Sequence, residues 1–222
     1  MKKRAWVALV ALMVGMWFVT AGCSDPFEGV EEAKSGEAIE VEEPDAETEE
    51  KEAAEGRRRT YVLAPDSSII FEGSKVIDTR VGGFAEFEGS VTIPEGDPEK
   101  ARIDVTIDTT SMFSDSNLLT RILKNEDYFH VEAHPTARFV STGVEKVEDN
   151  RYRITGNLTI RGITKSISFA TQVSEITDNQ LTAEAEFLID RSDWNVGLDS
   201  WEGQMIRDEV KLALYVVAKT EA

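Results

Sequence analysis

"RYRITGNLTIRGITKSISF", residues 151–169, alternates apolar and polar side chains along its length. The apolar set is Tyr152, Ile154, Leu158, Ile160, Ile163, Ile167 and Phe169. The residues between them are mainly Arg, Thr, Asn and Ser. A period of two predicts β-strands that carry one apolar face and one polar face.

The same alternation returns in three further segments, residues 101–108, 181–190 and 208–219. Their apolar positions are Ile103, Val105, Ile107, Leu181, Ala183, Ala185, Phe187, Ile189, Val210, Leu212, Leu214, Val216 and Ala218. Turn-forming stretches such as PEGDPE and VEDNR separate the segments. Many half-buried strands in succession favour an antiparallel sheet that closes into a barrel or folds as a sandwich, and argue against βαβ units.

One segment departs from the strand pattern. "SDSNLLTRILKNEDYF", residues 114–129, places four apolar residues at helical spacing. They are Leu118, Leu119, Ile122 and Leu123. Ser114, Asp115 and Ser116 are candidate N-caps. We therefore predict one short amphipathic helix, which in a β-barrel most often closes one end.

The chain has 222 residues and a formal net charge of -18. This acidity argues against a nucleic-acid partner, because phosphate contacts need clustered Lys and Arg. Cys23 is the only cysteine, so an intrachain disulfide and a zinc site of several thiolates are both excluded.

The N-terminus has the pattern of a secretory signal peptide. Lys2, Lys3 and Arg4 precede a short apolar run over residues 5–19, and such a run is too short to span a membrane. The small residues that come just before Cys23 resemble the lipobox of bacterial lipoproteins, although Thr20 stands where that motif prefers Leu. The alternative is an ordinary signal peptide with an incidental cysteine.

The lipobox resemblance implies that residues 1–22 are removed as a lipoprotein signal peptide and that Cys23 becomes lipidated. The mature protein would then be exported and held on a bacterial membrane by its lipid, at a periplasmic or cell-surface face. Ser24, which follows the cysteine, favours the outer membrane.

Residues 23–57 are strongly acidic. Between Ser24 and Glu55 there are fourteen Asp and Glu residues against two Lys residues, with one aromatic residue and no sustained apolar period. Such a composition cannot bury enough apolar surface to fold. We therefore predict a disordered acidic tether whose ends lie about 30 Å apart and which spaces a domain away from the bilayer. A specific partner for the acidic run is the alternative.

Residues 61–219 resemble the YceI-like family of lipocalin-like periplasmic proteins. Four blocks carry the resemblance: VGGFAEFEG at 81–89, LKNEDYFHVEAHPTARFVST at 123–142, ITGNLTIRGITKSISF at 154–169, and DRSDWNVG at 190–197 followed by IRDEVKLALYVVA. The sequence departs from the family pattern at Ile122, where His is frequent, at Trp194, where Phe is commoner, and at Asn195, where Gly is frequent.

The resemblance implies an all-β domain over residues 58–220, an eight-stranded antiparallel lipocalin-like β-barrel with one short helix closing an end. It also implies an elongated apolar interior that binds a polyisoprenoid or another long-chain lipid. The large inward residues expected to line this interior are Phe71, Phe84, Phe87, Phe139, Leu158, Ile160, Phe169 and Phe187. The alternative is a solid core, because a barrel of about eight strands can either fill itself or hold one ligand. Proteins of the family can also pair as homodimers.

Catalytic signals are weak in this sequence. It has no GxSxG elbow, no Walker loop and no GxGxxG motif. His130 and His134 are four residues apart, but Pro135 disfavours a helix that would bring them together on one metal. Asp190, Arg191 and Asp193 are expected to form an ion-paired turn. We therefore expect a lipid carrier or sequestering protein with no enzymatic activity, no metal and no cofactor. The alternatives are a structural or interaction barrel and, less favoured, an isoprenoid-modifying or metal-dependent enzyme.

Overall fold

The computed structural model describes residues 25–41, 58–75, 78–198 and 206–220. The predicted signal peptide and Cys23 lie outside the described residues. The strand segments are β1 (Lys34–Glu37), β2 (Arg58–Leu63), β3 (Ser68–Lys75), β4 (Asp78–Phe84), β5 (Phe87–Pro94), β6 (Arg102–Asp108), β7 (Met112–Ser114), β8 (Thr136–Glu148), β9 (Arg151–Ile160), β10 (Ile163–Ile176), β11 (Gln180–Asp190) and β12 (Ile206–Thr220). Helix α1 (Asn117–Lys124) follows β7, and short 3₁₀ turns lie at Pro98–Lys100, Thr109–Ser111 and Arg191–Trp194.

The strands form a closed antiparallel barrel of eight strands within the described part of the chain. β2 and β3 together make the first barrel strand and β4 and β5 the second, because the two members of each pair lie between the same neighbouring barrel strands. β6 and β7 together make the third, because both pair with the second barrel strand, and β6 also pairs with β8. β8 to β12 complete the series as neighbours in chain order. β12 then pairs with β3 and β2 and closes the sheet. The predicted fold class is confirmed.

The stretch at 151–169 forms the hairpin of β9 and β10. Its register pairs Ile160 with Ile163 and Ile154 with Phe169, so the apolar residues of the two strands share the inner face. Arg161 and Gly162 connect the strands with φ values of 51° and 74°. Two successive positive φ values are typical of a type I′ turn, which matches the twist of the flanking strands.

Helix α1 begins where the sequence predicted. Ser116 is its N-cap, and its hydroxyl accepts a hydrogen bond from the amide of Leu119 at 3.4 Å. Ile122 and Leu123 pack against the barrel core. Leu118, however, is 59% exposed and lies on the solvent side of the helix. Three of the four predicted apolar positions therefore face inward, and the expectation was wrong for Leu118.

We use "lid end" for the barrel end that carries α1 and the Arg191–Trp194 turn, and "far end" for the opposite one. β8 and β10 begin at the lid end, and β9 and β11 end there. The hairpins that connect β8 to β9 and β10 to β11 lie at the far end.

The prediction of a disordered tether over residues 23–57 is wrong for residues 25–41. We call this segment the N-terminal strap. β1 in the strap pairs antiparallel with β10, and Lys34 lies opposite Ser168. The amide of Ala33 donates to the carbonyl of Leu188 in β11 at 2.8 Å, and the amide of Leu188 donates to Glu31 at 3.0 Å. β10 and β11 pair with each other only near the far end, so the strap fills the gap between them.

Side chains fix the strap at three further points. The guanidinium of Arg207 donates to both carboxylate oxygens of Asp25 at 2.7 and 2.9 Å. Phe27 is 5% exposed and lies beneath the same guanidinium, 5.9 Å from it. Asp25 and Phe27 thus share one point at Arg207, and the second point is Glu31, which accepts a hydrogen bond from Arg153 at 3.2 Å.

The third point is Asn157, which exchanges two hydrogen bonds with the backbone of Ile39 at 2.9 and 2.6 Å.

The prediction of a disordered tether fails here because an acidic composition does not show which carboxylates have partners. Two carboxylates of the strap are paired with arginines of the barrel. The remainder of the predicted tether, residues 42–57, lies outside the described residues.

The paired hydrogen bonds between Arg207 and Asp25, which we call the Asp25 clamp, predict that docking of the strap depends on pH. The hydrogen bonds from Arg207 and then from the amide of Phe27 lower the pKa of the Asp25 carboxyl below its ordinary value. A lowered folded-state pKa stabilises docking above the ordinary value of about 3.9, and this contribution is lost as the pH falls through the folded-state pKa. Amide hydrogen exchange at Ala33 and Leu188 should therefore accelerate below about pH 4 relative to the β9–β10 hairpin.

Asp25→Asn should show the faster exchange already at neutral pH and should lose the Asp25 part of the pH dependence. Equal exchange in the wild type and in Asp25→Asn at neutral pH would contradict the assignment of the clamp.

Candidate lipid-binding cavity

The barrel interior holds two apolar cavities in tandem. The first, which we call the lid cavity, has a volume of about 290 Å³ and lies beneath α1. The second, the inner cavity, has a volume of about 180 Å³ and extends toward the far end. The two share wall residues Ile69, Ile107, Leu158 and Leu212. The interior is therefore not a solid core.

All eight residues predicted to line the interior lie in these walls. Phe71, Phe84 and Ile160 line the lid cavity, and Leu158 lines both cavities. Those that line the inner cavity are Phe87, Phe139, Phe169 and Phe187. The alternation of the strands brings them together, because residues two apart on a strand share one face.

Stacked aromatic rings stiffen the cavity walls. Phe169 and Phe187 stack with ring centroids 4.1 Å apart, and Phe139 approaches Phe169 at 5.8 Å. The ring of Phe139 crosses the neighbouring strand at Gly156, where a Cβ atom would lie 2.5 Å from the ring. Glycine at this position is thus required by the close approach of Phe139.

The lid end is closed by α1 and by Trp194. Leu119, Ile122 and Leu123 of α1 line the lid cavity from above. Trp194 is fully buried, and its indole N–H donates to the carbonyl of Leu158 at 3.0 Å. Trp194 therefore fills the lid end and satisfies its own polar group.

Arg191 organises the lid end in a way that the sequence did not reveal. Its guanidinium is buried and donates to the backbone carbonyls of Val196, Ile206 and Arg207. The ion pair expected within the Asp190–Asp193 turn is instead made with Asp208, at 2.9 Å. Arg191 thus ties the 3₁₀ turn to the beginning of β12.

Asp190 has a different role from the one predicted. Its carboxylate accepts a hydrogen bond from the amide of Ser192 at 2.8 Å and so caps the 3₁₀ turn.

Few polar groups reach the cavities. Ser74, Lys75 and Arg80 line the lid cavity where β3 turns into β4. Thr171 lines the inner cavity and is 6% exposed, and its hydroxyl has no hydrogen-bond partner among the described residues. Sequence reasoning missed Thr171, although its place between Phe169 and Val173 in the alternation puts it on the inner face.

The two histidines lie in the loop between α1 and β8. Their rings are 5.7 Å apart and edge-on, and His130 has a φ of 47°, outside the helical region. Among the described residues, no group of three His, Cys, Asp or Glu side chains is placed to hold a metal ion.

The family model of the YceI-like domain matches residues 61–218. The chain belongs to the YceI-like family. A UPF0312 protein of Photorhabdus laumondii is 38% identical over 86 residues, which cover 39% of this chain and 44% of that relative. The aligned region thus spans less than half of the relative's length.

Two solved structures share the YceI-like fold. BcnA of Burkholderia cenocepacia is 24% identical, has a TM-score of 0.66 and aligns over 70% of this chain and 99% of its own. A polyisoprenoid-binding domain from Saccharophagus degradans is 13% identical, has a TM-score of 0.60 and aligns over 73% of this chain and 99% of its own. At these identities the likeness establishes the fold.

Within the described ranges, no helix is both long enough and apolar enough to cross a bilayer.

Thr171 provides a test of the inner cavity. Thr171→Val keeps the side-chain shape and removes a buried hydroxyl that has no partner, so the free energy of unfolding of the lipid-free protein should rise by about 1 kcal/mol. Urea unfolding followed by Trp fluorescence measures the change.

The matched control is Thr109→Val. The Thr109 hydroxyl is equally buried but donates to the carbonyl of His134 at 2.7 Å, so its removal should lower the free energy of unfolding by about 1–3 kcal/mol. A loss of similar size in both variants would show that Thr171 is hydrogen-bonded in solution.

Proposed function

We propose that this YceI-like protein is a membrane-tethered lipid-binding protein that sequesters or carries a long apolar chain in the barrel. The observation that carries the proposal is the pair of tandem cavities with almost entirely apolar walls. A cavity of this kind excludes water, since water needs two to four polar partners, and it accepts apolar ligands instead. The binding energy comes from burial of the chain, at about 25 cal/mol per Å² of apolar surface.

The ligand classes that fit are a polyisoprenoid, a quinone or a fatty amide. Each has a long apolar chain that can follow the axis from the lid cavity to the inner cavity. Ser74, Lys75 and Arg80 at the edge of the lid cavity supply donors for a polar head group. The polyisoprenoid-binding domain of Saccharophagus degradans, which has this fold, supports the first of these classes.

The proposed activity contains no chemical step. The cavity walls present aliphatic and aromatic side chains, and the two histidines lie in the loop before β8 rather than in the cavity walls. Transfer then consists of uptake, burial and release of an unchanged ligand, and we propose α1, whose side chains line the lid cavity, as the gate.

We further propose that the protein is exported and lipidated at Cys23, which would hold it on a bacterial membrane. The signal-like leader and the position of the single cysteine support this placement.

Filling the inner cavity tests the binding proposal. Ala183 is buried in its wall, so Ala183→Trp should occupy the space and weaken the binding of a polyisoprenol, a ubiquinone or a fatty amide at least about tenfold. Native mass spectrometry of the purified chain, before and after addition of each lipid, measures occupancy.

Glu186→Trp is the matched control, because Glu186 lies on the same strand with its side chain exposed, and it should bind like the wild type. The thermal midpoint of both variants is recorded, since overpacking a core costs about 1–3 kcal/mol. A wild-type chain that is always empty and binds none of the three lipids would reject the proposal.

The anchor has its own test. Cys23→Ala removes the thiol that would be acylated, so the protein should move from the membrane fraction to the soluble fraction. Ser24→Ala leaves that thiol intact and should remain with the membrane. If Cys23→Ala also remains with the membrane on fractionation of cells and immunoblotting, the lipoprotein proposal is wrong.

A further inference from the structure

The N-terminal strap begins at the lid end of the barrel. Asp25, its first described residue, is held by Arg207 through two hydrogen bonds. Arg207 is the second residue of β12, next to Ile206, which lines the lid cavity. The carbonyl of Arg207 also accepts a hydrogen bond from Arg191 at the lid end. The start of the strap is therefore fixed to the same end as the larger cavity.

The position of Asp25 limits how far the barrel can stand from its anchor. Cys23 precedes Asp25 by two residues. Two residues of fully extended chain span at most about 7 Å. A free tether over residues 23–57 would instead allow a mean separation of about 30 Å. The docked strap thus replaces a long spacer with a short link.

We propose that the N-terminal strap holds the barrel directly on the bilayer, with the lid end facing the lipid surface. The proposal rests on the proposed function, specifically on lipidation of Cys23. The occupant of the lid-end surface is a phospholipid bilayer, because Asp25 is held at this end and lies two residues from Cys23, the residue proposed to be acylated.

The lid end presents apolar side chains to such a surface. Leu118 projects outward from α1, and Leu198, which follows the Arg191–Trp194 turn, is 37% exposed. Phe113 in β7, three residues before the N-cap of α1, is 43% exposed. An apolar side chain on a helix at the headgroup boundary gains burial in the acyl region, about 5–10 Å deep. Contact with the bilayer accounts for the outward position of Leu118, which the barrel itself leaves in water.

The far end would point away from the membrane. β10 runs for fourteen residues from the lid end to the far end, a distance of about 30 Å along a tilted strand. Only the lid cavity would then lie next to the bilayer. A long-chain ligand could therefore pass from the bilayer beneath α1 into the lid cavity without crossing bulk water.

Labels at the two ends test the orientation in the full-length lipidated protein. Acylation blocks the thiol of Cys23, so Leu118→Cys or Asp149→Cys supplies the single reactive thiol for a fluorophore. Asp149 is fully exposed in the hairpin at the far end. The protein is reconstituted in vesicles of phosphatidylethanolamine and phosphatidylglycerol that contain a nitroxide-labelled phospholipid.

The label at Leu118 should be quenched by the nitroxide lipid at least about threefold more than the label at Asp149, as expected for a residue at the headgroup boundary. Aqueous iodide should show the reverse order. Equal quenching at both sites, or stronger lipid quenching at Asp149, would overturn the proposal.

The variant Arg207→Gln tests the contribution of the docked strap to the orientation separately from that of the lipid anchor at Cys23. It removes the Asp25 clamp and frees the chain as far as the buried Phe27, which lengthens the link to about 14 Å. The excess quenching at Leu118 should then shrink. Arg59→Gln, which breaks a 2.9 Å ion pair with Asp178 at the far end, is the matched control and should keep the full difference.

The same samples distinguish this inference from the binding proposal. Lid-end quenching in protein that binds no polyisoprenol, ubiquinone or fatty amide would reject the ligand and leave the orientation supported. Ligand binding with equal quenching at the two labels would reject the orientation alone. Wild-type protein that does not associate with vesicles through Cys23 would overturn the orientation together with the anchor.

Discussion

Strand β12 has hydrogen-bonded neighbours on both edges, and the cavity depends on this double pairing. One edge of β12 pairs with every residue of β11, and the other edge pairs with β3 and then with β2. Closure with eight strands sets the radius of the interior, which side chains can fill or leave open. Because the wall is held by backbone ladders, it cannot move inward to close a space that the side chains leave. The two cavities follow from this combination of a fixed wall and inward aromatic residues.

An empty apolar interior carries a free-energy cost. Cavities in protein cores are unfavourable by about 24 cal/mol per Å³, so the inner cavity of about 180 Å³ corresponds to about 4 kcal/mol. That is a large fraction of the roughly 5–15 kcal/mol that separates folded from unfolded domains. A ligand that fills the space recovers this cost and stabilises the fold by mass action. Ligand occupancy and stability of this barrel are therefore coupled.

Local periodicity was enough to predict the faces of the strands but not the partners of the strap. The alternation across residues 151–169 identified the inner residues of β9 and β10, because side-chain direction on a strand depends only on neighbours in the chain. Asp25 and Arg207, by contrast, are 182 residues apart in sequence, and Ile39 and Asn157 are 118 apart. No local pattern encodes such pairs. Leu118 was misplaced for a related reason, since helical spacing defines a face but not where that face ends.

The contacts of the strap contribute in different ways. Exposed ion pairs such as Asp25 with Arg207 contribute little to stability, because water and salt screen the two charges. Burial of a Phe side chain contributes about 1.5–3 kcal/mol, and Phe27 is almost fully buried. The apolar contact of Phe27 and the backbone pairing of β1 therefore hold the strap, while the charged pair fixes its register on the barrel. Since Phe27 is also only four residues from Cys23, the burial of one aromatic ring determines how far the anchor can lie from the lid end.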